Sequence, residues 1–182
     1  MLRSVEAPHY HATGVSDPGS DTEVIRPPRT ADGAAMWRIA RDSGTLDLNS
    51  SYAYLLWARD FAATTRVFEV DGEIGGYVTG FRRPEQPDCL FVWQVAVDER
   101  LRGRGAAGRL LDAVVTAQGE RVRWVETTIT DDNTASQRLF QAFARRHGAV
   151  LTVEPLFTGD GFPDGHDAEP LYRIGEFDAS RD

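Results

Sequence analysis

The segment from residue 95 to residue 115 constrains the fold most, because it passes from strand-like to helix-like residues through a glycine-rich turn. It begins with the β-branched run Val95–Val97, and its later apolar residues recur at helical spacing, at positions 107, 110, 111, 114 and 115. Three glycines and four arginines lie at residues 100–109, across the junction. Glycines let backbone N–H groups converge, and a helix N-terminus adds partial positive charge. The segment therefore predicts a phosphate site at a strand-to-helix junction.

The elements around this junction can be placed in order. Helices are predicted over "TADGAAMWRIARDSG", which begins at Thr30 and ends at Gly44, and over "LDLNSSYAYLLWARDFA". Asp71-Gly72 predicts a hairpin, "DCLFVWQVAVD" a third strand, and "DDNTASQRLFQAFARRHG" a helix. The predicted buried positions of the second and last helices are Leu55, Leu56, Phe61, and Ala135, Leu139, Phe143.

The predicted order is α-α-β-β-β-α-β-α-β-β, which is typical of the α/β (α+β mixed sheet) class, with helices on both faces of a central mixed sheet. A single domain is expected over residues 25–176. Residues 1–24 lack a hydrophobic period and are interpreted as a flexible leader, and residues 177–182 as a frayed tail.

Composition excludes several functional classes. The net charge of −8 and the pI near 5.0 disfavour general nucleic-acid binding. No apolar run has the roughly 18 residues that a membrane span needs. The single cysteine, Cys89, excludes an intramolecular disulfide and favours the cytoplasm; it is interpreted as an ordinary core residue. No metal site is predicted.

The phosphate site has more than one interpretation. Gly103, Gly105 and Gly108 satisfy the dinucleotide pattern G-x-G-x-x-G, and Glu126 lies where a ribose-binding acid is sought. However, the loop follows three successive strands, no second mononucleotide half follows, and a P-loop pattern is missing from the sequence. The segment instead resembles the acyl-CoA signature [QR]-x-x-G-x-[GA] of the GNAT superfamily of N-acetyltransferases, at residues 102–107 and again at 100–105.

This resemblance implies acetyl-CoA as co-substrate and assigns roles along the loop. The strand "VWQVAV" would splay from its neighbour to admit the pantetheine arm, with Val95 and Val97 along it and the N–H of Val95 polarising the thioester oxygen. Asn133, which opens the next helix, would contact the cofactor arm as well as cap the helix. The residues whose N–H groups would hold the pyrophosphate are Arg102, Gly103, Arg104, Gly105, Ala106 and Ala107.

Phe140 departs from the superfamily, many members of which carry a tyrosine there as the acid for the leaving thiolate. Three alternatives stay open: Tyr52 or Tyr172 substitutes for it, the thiolate leaves unassisted, or it takes a proton from water. A thiol with a pKa near the cysteine value of about 8.5 makes the last alternative plausible.

Polar and aromatic residues in unexpected places indicate the acceptor. They occur in "LDLNSSY" before the second helix, at Trp93 in the central strand, in "ETTIT" and in "GHDAEPLYRI". Strand alternation predicts that Gln94 points to the face opposite Trp93. Carboxylates and aromatic rings in one cleft suit a small cationic amine.

Together these segments resemble the L-2,4-diaminobutyrate acetyltransferases of ectoine biosynthesis, over roughly residues 25–175. The resemblance implies acetyl transfer from acetyl-CoA to the N4 amine, and a homodimer. Glu126 is then the expected water-mediated base. The residues expected to hold the diamine are Asp47, Asn49, Tyr52 and Trp93, with His166 and Glu169 contributing from the late loop.

Two alternatives remain. One is an enzyme of the same fold that acetylates another small amine. The other is a non-catalytic acyl-CoA-binding regulator, which would bind acetyl-CoA but release no free CoA with any amine.

Overall fold

The computed structural model describes residues 22–44 and 46–177, which form seven strands and four α-helices. The strands are β1 Glu23–Arg26, β2 Arg66–Val70, β3 Glu73–Arg83, β4 Gln86–Val97, β5 Trp124–Thr128, β6 Val150–Phe157 and β7 Glu169–Gly175. The helices are α1 Gly33–Ser43, α2 Ser51–Arg59, α3 Ala106–Thr116 and α4 Thr134–His147. Among these residues no helix is long and apolar enough to cross a membrane.

The strands form one mixed sheet in the order β1-β2-β3-β4-β5-β7-β6. The β4–β5 pair is parallel and all other neighbours are antiparallel. The predicted hairpin joins β2 to β3, and both of its turn residues are left-handed, with φ of 52° at Asp71 and 84° at Gly72. This is the turn in which Asp-Gly is favoured, because glycine accepts positive φ without strain.

Two cores cover the two faces of the sheet, as the predicted class requires. Successive strand residues point to opposite faces, and on β3 the fully buried Tyr77 packs with residues of α1 and α2, whereas Val78 packs with residues of α3 and α4. The sheet is therefore the middle of three layers, with helices packed on both of its faces.

Ordered structure extends beyond the predicted domain, residues 25–176, at both ends. Strand β1 was not predicted, and it begins at Glu23, inside the segment interpreted as a leader; it pairs along β2 from Glu23↔Val70 to Arg26↔Val67. Residues 1–21 of that leader lie outside the described residues. Phe177, predicted to lie in the frayed tail, packs against the core, with its ring centroid 6.0 Å from that of Phe143.

The buried helix faces were predicted correctly only at Phe143, and the other predicted positions of α2 and α4 are not fully buried. In α2 the buried positions are Tyr54, Trp57 and Ala58, whereas Leu55 and Phe61 are exposed. In α4 they are Phe140, Phe143 and Ala144, whereas Ala135 is exposed and Leu139 is only partly buried. Both real stripes follow i, i+3, i+4 spacing but place the larger aromatic rings inward, where they bury more apolar surface. The first helix does end at Gly44, but Thr30 begins a short 3₁₀ turn, and Asp32 is the N-cap residue of α1.

Strand β4 splays from β5, as predicted. The parallel pairing covers Cys89↔Trp124, Leu90↔Val125 and Phe91↔Glu126. Beyond Phe91 the two strands share no further pair, although β4 continues to Val97 and β5 to Thr128. The gap that results lies at the middle of the sheet and is bordered by the start of α4 and by the segment between α1 and α2.

Candidate active site

A cavity of about 1270 Å³ opens at this splay. It is bordered by β3, β4 and β5, by the segment between α1 and α2, by the start of α4 and by the β6–β7 connection. Eight residues predicted from the sequence line it together: Asp47, Asn49, Trp93, Val95, Glu126, Asn133, His166 and Glu169. Segments far apart in the chain thus meet at one place.

A β-bulge on β4 shapes the wall of this cavity. Thr79 pairs with Gln94 but Gly80 pairs with Val92, so Trp93 is an extra residue on the bulged strand. The bulge interrupts strict alternation, and Trp93 and Gln94 both approach α2: the Trp93 ring contacts Trp57 at 5.2 Å, while Gln94 accepts a hydrogen bond from Tyr54. The prediction that Gln94 faces away from Trp93 was therefore wrong.

Gln94 connects the core to the segment between α1 and α2, which borders the cavity. Its Oε1 accepts hydrogen bonds from the Tyr54 hydroxyl at 3.2 Å and the Tyr77 hydroxyl at 3.0 Å, and its Nε2 donates to the backbone carbonyl of Asp47 at 3.0 Å. The three side chains are buried. A buried polar network that satisfies its members resists rearrangement, so Gln94 fixes the segment that carries Asp47.

Asp47, His166 and Glu169 form a cluster of two carboxylates and one imidazole at one end of the cavity, and this cluster could bind a cation. His166 Nε2 lies 3.0 Å from Asp47 Oδ2 and 3.7 Å from Glu169 Oε1. The pKa of His166 is raised above its usual value, first by the hydrogen bond of Nδ1 to the Asp167 carbonyl and then by the Asp47 carboxylate. One ligand atom from each of the three residues lies within 4.8 Å of the others, a spacing that suits a small cation.

Glu126 lies on the floor of the cavity and is 1% exposed. Its Oε2 accepts a hydrogen bond from Arg83 Nη1 at 2.9 Å, and its Oε1 lies 3.4 Å from Arg173 Nη1. Oε1 has no hydrogen-bond donor among the described residues. Burial, with Glu126 nearby, raises the pKa of the Cys89 thiol to about 12. Cys89 is therefore a protonated core residue, as interpreted from the sequence, and not a nucleophile.

The glycine loop has the conformation that its sequence predicts. Gly103 and Gly105 have φ of 76° and 74°, and Gly105 is the N-cap residue of α3. The N–H groups of Arg102 and Arg104 donate within the turn, to the carbonyls of Glu99 and Leu101. Of the predicted residues 102–107, those whose N–H groups have no such partner within the described chain are Gly103, Gly105, Ala106 and Ala107, so we take these four as the predicted pyrophosphate cradle.

Most arginines of the loop are paired with carboxylates of this chain. Glu23 of β1 binds Arg104 at 2.7 Å and Arg109 at 2.5 Å. Arg100 lies 2.9 Å from Glu73. Arg102 is exposed and forms no ion pair with another described residue. The positive charge beside the glycines is thus largely balanced internally, and the backbone N–H groups are the distinctive feature of the loop.

Asn133 and Phe140 border the cavity from α4. Asn133 caps the helix, since its Oδ1 accepts a hydrogen bond from the Ser136 N–H at 3.1 Å. The capping half of the predicted dual role is thus observed, whereas the contact with the cofactor arm stays a prediction. The buried Phe140 ring supplies no proton.

Two predicted site residues lie elsewhere. Tyr52 is 65% exposed on the outer surface of α2 and does not line the cavity. Val97 is partly buried and packs toward the core on the α3 side. Tyr172, the other candidate acid for the thiolate, is buried in that same core, and burial raises its pKa above the usual value. Neither tyrosine is placed to protonate a group inside the cavity of this chain.

Sequence reasoning missed Arg83 and Gln94. Arg83 follows a strand within "GFRRPEQPD" and resembles an ordinary charged hairpin residue, so nothing local marks it. Gln94, a polar residue inside an apolar strand, did carry a signal. A buried amide needs partners, and asking for them would have indicated Tyr54, Tyr77 or a backbone carbonyl.

Comparison with known proteins agrees with this geometry. Residues 34–144 match the acetyltransferase (GNAT) family. An L-2,4-diaminobutyric acid acetyltransferase of Streptomyces coelicolor is 56% identical over 164 residues, which cover 88% of this chain and 96% of that protein. The enzyme of the same name from Nocardia farcinica is 50% identical over 173 residues, covering 94% and 87%.

A solved structure is also similar over almost its whole length. The diaminobutyrate acetyltransferase EctA from Paenibacillus lautus, in complex with its substrate L-2,4-diaminobutyric acid and coenzyme A, superposes with a TM-score of 0.83. The two sequences are 40% identical, and the match covers 87% of this chain and 98% of that one.

Proposed function

The chain belongs to the GNAT family of acetyltransferases and, within it, to the L-2,4-diaminobutyrate acetyltransferases, and we propose that it transfers the acetyl group of acetyl-CoA to the N4 amine of L-2,4-diaminobutyrate. This is a step of ectoine biosynthesis. The observation that carries the proposal is the meeting of Asp47, His166 and Glu169 beside the splayed strands. A cation-binding cluster next to a thioester site is what an amine acetyltransferase needs.

The co-substrate is acetyl-CoA, which supplies the activated acetyl group as a thioester. The proposed pyrophosphate cradle consists of the N–H groups of Gly103, Gly105, Ala106 and Ala107 at the N-terminus of α3. The pantetheine arm would enter the gap between β4 and β5, where Asn133 and Val95 line the cavity. The N–H of Val95 is the proposed donor to the thioester oxygen.

The acceptor binds on the other side of the gap. Asp47 and Glu169 attract its ammonium groups, and the half-exposed Trp93 ring offers a π-face to a cation. Positioning two substrates in this way can contribute about 7–11 kcal/mol to the barrier reduction in favourable cases. The site therefore depends more on orientation than on one strong base.

The reaction needs a neutral amine. We propose that the N4 ammonium loses a proton through water to Glu126, whose Oε1 lacks a hydrogen-bond donor in the described chain. The nitrogen lone pair then attacks the carbonyl carbon and the C–N bond forms. The C–S bond breaks, and the nitrogen releases its remaining extra proton to water as the amide forms. With Phe140 in place of an acid and no tyrosine lining the described cavity, the CoA thiolate takes its proton from water.

We also propose a cytoplasmic homodimer. The reduced, buried Cys89 suits a reducing compartment. The edge strand β6 exposes four large apolar side chains, those of Val150, Val153, Leu156 and Phe157, and exposed apolar surface at a sheet edge is of the kind that an oligomer interface covers. Analytical ultracentrifugation of the full chain tests this, since a species of one chain's mass (20.2 kDa) would refute it.

The test of the activity is CoA release from acetyl-CoA with L-2,4-diaminobutyrate, ornithine, lysine, putrescine or spermidine, measured with and without a chelator. Strong preference for diaminobutyrate, unaffected by the chelator, is expected. Preference for another amine would be consistent with the family but would reject diaminobutyrate as the substrate. Binding of acetyl-CoA without release by any amine would favour a regulator.

A further inference from the structure

The charges that line the cavity are unevenly distributed. Six carboxylates line it: Asp47, Glu126, Asp132, Asp164, Asp167 and Glu169. Among the described residues, Arg83 is the one arginine or lysine that does so. A diamino acid carries two ammonium groups and one carboxylate at neutral pH. The carboxylates account for the ammonium groups, and Arg83 is the group of opposite charge that the substrate carboxylate requires.

Arg83 lies on the acceptor face of the sheet. It ends β3, two residues after Phe81, whose ring is tilted against that of Phe91 of β4 with the centroids 5.3 Å apart. The guanidinium of Arg83 contacts the Glu126 carboxylate, and Glu126 is the partner of Phe91 across β4 and β5. Arg83 therefore reaches the side of the sheet that carries Phe91 and the Glu126 carboxylate, where all three residues line the cavity. Its side chain is 42% exposed, toward the cavity that it lines.

Glu126 holds the Arg83 guanidinium in place without saturating it. One of five guanidinium N–H donors is used, from Nη1 to Glu126 Oε2 at 2.9 Å, and no other hydrogen bond of Arg83 is formed within the described chain. Glu126 also lies 3.4 Å from Arg173, so the three side chains together carry one net positive charge. A buried carboxylate that orients a guanidinium in this way leaves a preorganised fork for a second carboxylate.

We propose that Arg83, oriented by Glu126, binds the α-carboxylate of the acceptor and so selects an amino acid over a simple diamine. This inference rests on the proposed function. The Asp47–His166–Glu169 cluster and the Arg83–Glu126–Arg173 cluster give the cavity a negative region and a positive region, which match the charge pattern of the diamino acid.

The test compares L-2,4-diaminobutyrate with 1,3-diaminopropane, which is the same molecule without its carboxylate. The wild-type chain should have a much higher kcat/KM for the amino acid. In Arg83→Gln, the KM for diaminobutyrate should rise about 10- to 100-fold, the effect typical of losing a charge-assisted pair. The kcat/KM for diaminopropane should fall much less, because that substrate has no carboxylate for Arg83 to bind, and any effect that acts through Glu126 is shared by both substrates and cancels in the ratio of their kcat/KM values.

Arg173→Gln is the matched control. Arg173 contacts the same Glu126 but does not line the cavity, and its guanidinium stacks over Trp124 at 4.3 Å. Its loss should leave the ratio of the two kcat/KM values unchanged. Arg83→Lys keeps the charge but loses the forked geometry of the guanidinium, so its KM for diaminobutyrate should lie between those of wild type and Arg83→Gln. This variant replaces Arg83→Gln in the test if Arg83→Gln does not fold.

The outcomes separate the two proposals. A wild-type chain that does not acetylate diaminobutyrate rejects the proposed function. A chain that does so, but whose Arg83 variants lose the same factor with both substrates, rejects the role of Arg83 in carboxylate binding. If the Arg83 variants lose the preference for diaminobutyrate over diaminopropane and the Arg173 variant keeps it, the role of Arg83 in carboxylate binding is supported.

Discussion

The glycine loop and the acceptor cluster bind by different physical means. The loop is one continuous segment whose backbone N–H groups are free to bind an anion because Gly103 and Gly105 adopt left-handed conformations. The acceptor cluster uses side chains from segments as far apart as Asp47 and Glu169, and a buried amide, Gln94, holds one of them in place. Binding at the loop therefore depends on local conformation, whereas binding at the cluster depends on the whole fold.

Of the variants considered, replacement of Gln94 by leucine should reduce stability most and should show that the acceptor cluster depends on the fold. It leaves the buried Tyr54 and Tyr77 hydroxyls without an acceptor. The free energy of unfolding should fall by about 2–4 kcal/mol, since each unsatisfied buried hydroxyl costs about 1–3 kcal/mol. The KM for diaminobutyrate should also rise, while the KM for acetyl-CoA should not.

Urea denaturation and steady-state kinetics provide the measurement, and Gln141→Leu on the exposed surface of α4 is the control. That control should change stability by no more than about 0.5 kcal/mol. Equal stability of the two variants would show that the network does not hold the acceptor segment.

Replacement of Gly105 by valine should have the next largest effect and should act on the loop alone. Its φ of 74° is strained for a β-branched residue, although a Cβ there would meet no atom within 4 Å. Strain of about 1–3 kcal/mol corresponds to a 5- to 150-fold rise in the KM for acetyl-CoA. The KM for the diamine should stay within about twofold.

Gly72→Val is the matched control for this variant, because Gly72 has φ of 84° and equally open surroundings in the β2–β3 turn. It should reduce stability without changing either KM. If Gly105→Val bound acetyl-CoA normally, the loop would not be the pyrophosphate cradle.

The sequence predicted the locally determined parts of the molecule and missed parts set by tertiary contacts. The Asp71-Gly72 hairpin and the left-handed glycines were predictable because residue type alone restricts φ. The bulge at Trp93 and the inward faces of α2 and α4 were not, because packing of aromatic rings against other elements decides them.

The same distinction applies within the site. The residues of the loop follow from one motif, whereas the grouping of Asp47 with His166 and Glu169 rested on polar residues in separate segments and on a family resemblance over the chain. Arg83 followed from neither, since its role depends on Glu126, 43 residues away, as a neighbour across the sheet. Tyr52 was grouped with the site because it belongs to the segment "LDLNSSY" that carries the resemblance, but helix α2 carries it to the outer surface.

The titration of His166 is the smallest expected effect and tests the electrostatics of the cluster. Its pKa should exceed 6.5, so the imidazolium pairs with Asp47 at lower pH and the contribution of that pair to stability is lost as pH rises through the raised pKa. Because the imidazolium competes with the substrate ammonium, the KM for the diamine should fall over the same range.

NMR titration of the His166 ring in wild type and Asp47→Ala measures this directly. The substitution should lower the pKa only in part, because the hydrogen bond to the Asp167 carbonyl remains. A wild-type pKa at or below 6.5 would contradict the proposed ion pair.

The position of the acetyl group in the product tests the central claim most directly. The enzyme would be incubated with diaminobutyrate and acetyl-CoA labelled with ¹³C at the carbonyl, and the product examined by two-dimensional ¹H–¹³C NMR. The labelled carbonyl should correlate with the protons on C4 and not with the proton on C2. Acetylation on N2, or a mixture of both products, would contradict a cavity that orients the diamino acid by its two ends.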